Sequence, residues 1–151
     1  MATERDRPYS QFNFLVDITD INDALQDSGG FQEVSGLGVE IAAAEYRNGN
    51  SRFNNVSKIM GLSKIPDVTL KRGVIGQLAL YDWIKAVQDG NQDQLKTVTV
   101  TLLAEDRVTQ AQSWKLSNAR PLKYTGPTLS GAGGDIAVEE LVLSCERCEQ
   151  A

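Results

Sequence analysis

The stretch Lys96-Thr97-Val98-Thr99-Val100-Thr101-Leu102-Leu103 decides the fold. Val98, Val100 and Leu102 alternate with Thr97, Thr99 and Thr101, a period of two that sends one set of side chains to a core and the other to the opposite face of a strand. β-branched residues at most of these positions suit a pleated, half-buried surface. The polar Glu105-Asp106-Arg107 ends the run, and a second strand around Ser113 to Leu116 follows, so the two read as an antiparallel hairpin.

The same period appears near the amino terminus, where Phe12, Phe14, Val16 and Ile18 alternate with Asn13, Leu15 and Asp17. Asp27-Ser28-Gly29-Gly30 predicts a turn, and Phe31 to Val34 resumes extended structure. Ser35-Gly36-Leu37-Gly38 predicts another turn: it lacks the Lys-Ser/Thr of a phosphate cradle and precedes a strand instead of a helix. Val39 to Tyr46 is a strand, and Arg47 to Ser57, rich in asparagine, serine and glycine, is a long polar loop whose one large apolar residue is Phe53. Phe53 either anchors a contact or folds back onto its own domain.

Val68 to Arg72 is strand-like and ends at Gly73. Leu80, Trp83, Ile84 and Val87 then fall at i, i+3, i+4 and i+7, placing four apolar side chains on one helical stripe with Gly90 where a terminating glycine belongs. Asn118 to Pro121 should interrupt pairing, because proline donates no amide hydrogen bond. Leu122 to Thr125 continues extended, and Ile136 to Cys145 is a long strand apolar on both faces. These elements predict a mainly β chain, an antiparallel sandwich or barrel with one capping helix. The strands exceed what one helix covers, so part of the sheet meets solvent or another copy.

Composition bounds the function. A chain of 151 residues, 41% hydrophobic and 23% charged, fits a single domain spanning 1-151. The formal charge of −5 argues against binding to a phosphate backbone, and the absence of histidine removes Ser/His and Cys/His nucleophile pairs and imidazole-ligated metals. Glu105 with Asp106, and Glu139 with Glu140, are neighbours sent to opposite faces of a strand, which makes them poor acid/base partners and ordinary surface charge. Lys71 and Arg72 fit an interface or a surface ion pair. Cys145 and Cys148 form a C-x-x-C without the strand-to-helix context of a redox motif or the further ligands zinc needs, and read as reduced thiols at a strand end. Catalytic, cofactor-binding and metal residues are therefore all expected to be absent. No secretory signal precedes Pro8 and no apolar run reaches membrane-spanning length, which predicts cytoplasmic synthesis without a transmembrane segment.

Several phrases in order resemble the tail-tube, or inner-tube, protein family of contractile phage tails and phage-like contractile injection systems. They are Tyr-Ser-Gln-Phe-Asn-Phe-Leu-Val-Asp-Ile from Tyr9, Phe-Gln-Glu-Val-Ser-Gly-Leu from Phe31, Glu45-Tyr46-Arg47, Lys58-Ile59-Met60-Gly61-Leu62, Val68 to Gly73, Leu80-Tyr81-Asp82-Trp83, Trp114, Asn118 to Pro121, Tyr124-Gly126-Pro127 and Ile136 to Leu143. The resemblance implies a structural protein and no enzyme. Six copies form a hexameric ring with a shared inner β-barrel, rings stack into a hollow rigid tube by helical assembly, and a contracting sheath drives that tube through a target envelope. It further implies that Tyr46 to Ile65 is the loop that packs on the adjacent ring. Tyr46, Arg47, Arg52, Phe53, Val56 and Lys58 are then contact candidates, with Lys71 and Arg72 near subunit boundaries. Implied partners are the sheath, baseplate and tube-terminating proteins, with protein cargo in the lumen and no specific nucleic acid. The implied location is a phage tail-like particle, either a virion or an extracellular or cell-anchored device, assembled in the cytoplasm. Two alternatives stand beside the tube subunit: the tube-initiator subunit at the baseplate, and a soluble β-barrel module that binds a ligand or peptide at its sheet edge.

Overall fold

A computed structural model describes residues 4–19 and 30–151; the turn expected at Asp27, Ser28 and Gly29 lies outside them. In chain order the elements are β1 (Phe14–Ile18), β2 (Glu33–Ser35), β3 (Glu40–Tyr46), β4 (Ser57–Lys64), β5 (Val68–Gly73), α1 (Ala79–Gln88), β6 (Lys96–Leu103), β7 (Gln110–Thr125), β8 (Val138–Ser144) and β9 (Arg147–Gln150). All pairings are antiparallel, as the alternating runs predict.

The main strand order is β1-β6-β7-β8-β5-β2, with β9 also on β7 and with β3–β4 forming a separate ribbon. β7 serves two sheets: its first part pairs with β6 and β9, and its last part, from Arg120, pairs with β8. The interruption expected at Asn118 to Pro121 is thus a corner within one long strand. Asn118 takes a left-handed φ of 53° there, and the register slips between Pro121 and Lys123. Strands that pass from one layer to another characteristically bend in this way.

Inward-facing side chains of the two sheets meet in one core. Ile18, Val98 and Leu116 come from the first sheet, Val68, Leu70, Leu141 and Leu143 from the second, and all are fully buried. Register partners Leu70 and Leu141, and Val68 and Leu143, lie on the same buried face. α1 packs against β7 and puts Leu80 and Trp83 into this cluster. Burial of Leu80 alone is worth roughly 1.5–3 kcal/mol. The Trp83 indole donates to the Gln94 carbonyl at 2.9 Å, so its polar atom enters the interior satisfied. Gly90, at φ 101°, ends the helix as the sequence predicts.

One expectation is reversed inside this core. Glu139, read as surface charge, is buried, and its carboxylate takes the guanidinium of Arg72 from the neighbouring strand. Tyr124 donates its hydroxyl to the second oxygen of Glu139 at 2.5 Å, and Arg72 Nη2 donates to the Gln77 carbonyl at 3.2 Å. Burial first, and the Glu139 bond second, push the Tyr124 hydroxyl up to about 12.

At the amino terminus Arg5 forks onto both oxygens of Glu105, each at 2.8 Å, and stacks 3.6 Å from the Tyr9 ring centroid. This clasp ties the arm before β1 to the β6–β7 turn, a turn that Asp106 closes by accepting the amides of Val108 and Thr109.

Candidate assembly surface

Arg47 to Ser57 is largely loop, as its composition predicts, but the longer loop that the family resemblance implies from Tyr46 to Ile65 is a loop only in its first part. Ser57–Lys64 is strand β4, paired back onto β3, so the segment forms a ribbon with a tip between Tyr46 and Ser57. Every residue of both strands is exposed. Glu40 opposes Lys64, and Glu45 opposes Lys58, so two cross-strand pairs of opposite charge support the ladder. Where the register shifts, Gly61 passes so close to β3 that a Cβ on it would lie 3.0 Å from the Ala42 carbonyl oxygen.

The apolar content of this ribbon is at odds with its exposure. Ile41, Tyr46, Ile59 and Met60 are more than half exposed, and Leu62 is 88% exposed. A two-stranded ribbon bare on both faces is marginal in water, and this many exposed apolar side chains mark an interaction site. At the tip, Arg47 donates from Nε to the Phe53 carbonyl at 2.9 Å and from Nη2 to the Ser51 carbonyl at 3.2 Å. Tyr46 donates its hydroxyl to Asn48 Oδ1 at 2.9 Å. These bonds order the tip and leave Phe53 72% exposed.

Of the eight residues singled out from the sequence, Tyr46, Arg47, Arg52, Phe53, Val56 and Lys58 share this ribbon. Lys71 lies apart on β5, its Nζ 3.8 Å from Glu33 Oε2. Arg72 is corrected out of the contact set: only 1% exposed, it is held within its own protomer by Glu139. Ile41, Ile59, Met60 and Leu62, exposed on the same ribbon, fall outside the eight. Leu62 lies in the one apolar cluster of an otherwise polar segment, Ile59-Met60-Gly61-Leu62, which was the available signal.

The strand order leaves a second feature on the surface. β1 and β2 are its two ends and, among the described residues, do not pair with each other. Beside them opens a groove of about 740 Å³, lined chiefly by Phe12, Phe14, Phe31, Val34, Leu37 and Trp114, with Glu33 as its one carboxylate among the described residues.

The two thiols sit at the β8–β9 junction, Cys145 buried and Cys148 half-buried against the core. Burial pushes Cys145 up to about 11 and raises Cys148 as well, the opposite of the thiolate-favouring shift of redox and metal-binding pairs. Among the described residues no group of three or more Cys, Asp or Glu side chains is placed to hold a metal ion, and no helix is long and apolar enough to cross a membrane.

Known proteins resemble this chain along nearly its whole length. The family model described as T4-like virus tail tube protein gp19 matches residues 10–149. The chain is similar to a chain in the sheath-tube complex of an extracellular contractile injection system, PVC, in its extended state. Identity is 32%, the alignment covers 97% of this chain and 93% of that one, and the TM-score is 0.82. A chain of the anti-feeding prophage tube-terminating cap is 30% identical, with 100% and 95% covered and a TM-score of 0.82. Hcp1 from Flavobacterium johnsoniae, at 15% identity, 93% and 95% coverage and a TM-score of 0.55, shares the fold. Among curated protein sequences none matches the chain.

Proposed function

This chain belongs to the T4-like virus tail tube protein family and is a tube subunit of phage tails or contractile injection systems; from that premise we propose how it assembles. Residues 1-151 act as one domain. Six copies close a hexameric ring in which sheet edges join into a shared inner barrel, and rings stack into a hollow tube. Such closure removes the free edges at β1 and β2.

The observation that carries this reading is the β3–β4 ribbon, exposed along its whole length and apolar enough to require cover from another copy. Contacts by Tyr46, Arg47, Arg52, Phe53, Val56 and Lys58 join rings, and Lys71 lies near a boundary. Sheath outside the tube and terminating and baseplate proteins at its ends complete the particle, and the lumen admits protein cargo. The subunit's chemistry is assembly, without catalysis. Synthesis and assembly are cytoplasmic, ahead of incorporation into the particle.

Electron microscopy of the purified chain tests this: rings or tubes with a central channel are expected. A species that stays monomeric at every concentration, alone and beside sheath and baseplate proteins, would overturn it.

A further inference from the structure

An open-ended stack of identical rings needs a heterologous contact, in which each copy offers two different and complementary surfaces. The protomer has two features of opposite shape: the β3–β4 ribbon projects, and the groove beside β1 and β2 recedes. They also differ in charge. From Tyr46 to Ser57 the ribbon tip carries Arg47 and Arg52 and no acid, in a chain whose net charge is −5, whereas among the described residues the carboxylate lining the groove is Glu33, with Lys71 3.8 Å from it. Both are aromatic where they would meet: Phe53 stands out from an ordered tip, and Phe12, Phe14, Phe31 and Trp114 line the recess.

We propose that the groove is the socket for the ribbon tip of a second copy in the adjoining ring, with Phe53 among the groove aromatics and Arg52 against Glu33. This deepens the tube reading and rests on it. Aromatic anchors that fill well-defined pockets carry most of the energy of such interfaces, while the charge pair selects the orientation.

Paired cysteines and a charge exchange test the assignment. Tubes of a Gln32→Cys/Asn54→Cys variant, mildly oxidised, should give a ladder of covalent multimers on a non-reducing gel, and neither single-cysteine variant should. Glu33→Arg and Arg52→Glu should each keep rings but lose tubes, and the two together should restore them. Tubes of full length from both charge variants, with no ladder from the paired cysteines, would overturn the socket while leaving the tube reading intact. Failure of the unmodified chain to form rings or tubes would overturn the tube reading itself, and the socket with it.

Discussion

Arg72 and Glu139 are register partners across the β5–β8 ladder and form an ion pair with 1% and 5% of their side chains exposed. Removing one member leaves the other charged and buried, which typically costs about 3–5 kcal/mol, whereas replacing both with apolar residues of similar volume is far milder. Glu139→Ala should therefore lower the denaturant midpoint strongly, and Arg72→Met with Glu139→Leu should recover much of the loss. Equal destabilisation by the single and double variants would show that the site does not behave as a coupled pair.

Gly36 combines a φ of 90° with a backbone contact no side chain could share: a Cβ would fall 2.2 Å from the Asp67 carbonyl oxygen. Gly36→Ala should destabilise the fold by more than about 1 kcal/mol, since both the conformation and the space are denied to alanine. Gly38→Ala, which meets nothing within 4 Å, serves as the control in the same thermal melt.

The clasp at the amino terminus is sensitive to acid. Hydrogen bonds from Arg5 hold the Glu105 carboxyl down from the ordinary 4.5 to about 2. A carboxylate depressed on folding contributes stability that is present above its unfolded value and fades as pH falls from about 4.5 towards 2. An NMR titration of Glu105 should show this low midpoint, and Arg5→Ala should return it to the ordinary range. The same variant should expose residues 4–12 to proteolysis at neutral pH; unchanged protection would mean that other contacts hold the arm.

Raised thiols react slowly, because the thiolate is the nucleophile. At pH 8 Cys145 should resist alkylation in the folded protein, Cys148 should react more slowly than a free thiol, and both should react rapidly in denaturant. Mass spectrometry of timed samples distinguishes the two positions. Fast labelling of Cys145 under native conditions would contradict its burial.

Phe53→Ala removes the most prominent group of the ribbon tip without touching the core. Rings should persist while tubes shorten or vanish in electron micrographs, and thermal stability of the protomer should change little. Tubes of normal length would exclude Phe53 as a stacking anchor.

How far the fold was legible depended on what burial writes into a sequence. β1, β5, β6 and α1 each put an apolar stripe on the core, so Phe14/Val16/Ile18, Val68/Leu70, Val98/Val100 and Leu80/Trp83 show their period directly. β4 left no such trace: Ser57–Lys64 is exposed on both faces, so nothing selects an alternation, and its pairing is carried by backbone and by the charge pairs with β3. β9, four residues long, is too short to show a period. The Arg72–Glu139 pair joins residues far apart in the chain, and neither position announces the other. The contact candidates at the ribbon tip were found through the family resemblance and their polar setting, whereas the groove was invisible because its lining is brought together from β1, β2, β6 and β7.

The corner at Asn118 has a mechanical consequence. Because one continuous backbone, Gln110–Thr125, is a member of both sheets, sliding of one sheet over the other is opposed by covalent bonds and by two hydrogen-bonded ladders at once. Side-chain packing yields gradually under shear; a shared strand does not. In a tube pushed end-on by its sheath, the wall of each subunit would transmit thrust as a single stiff plate.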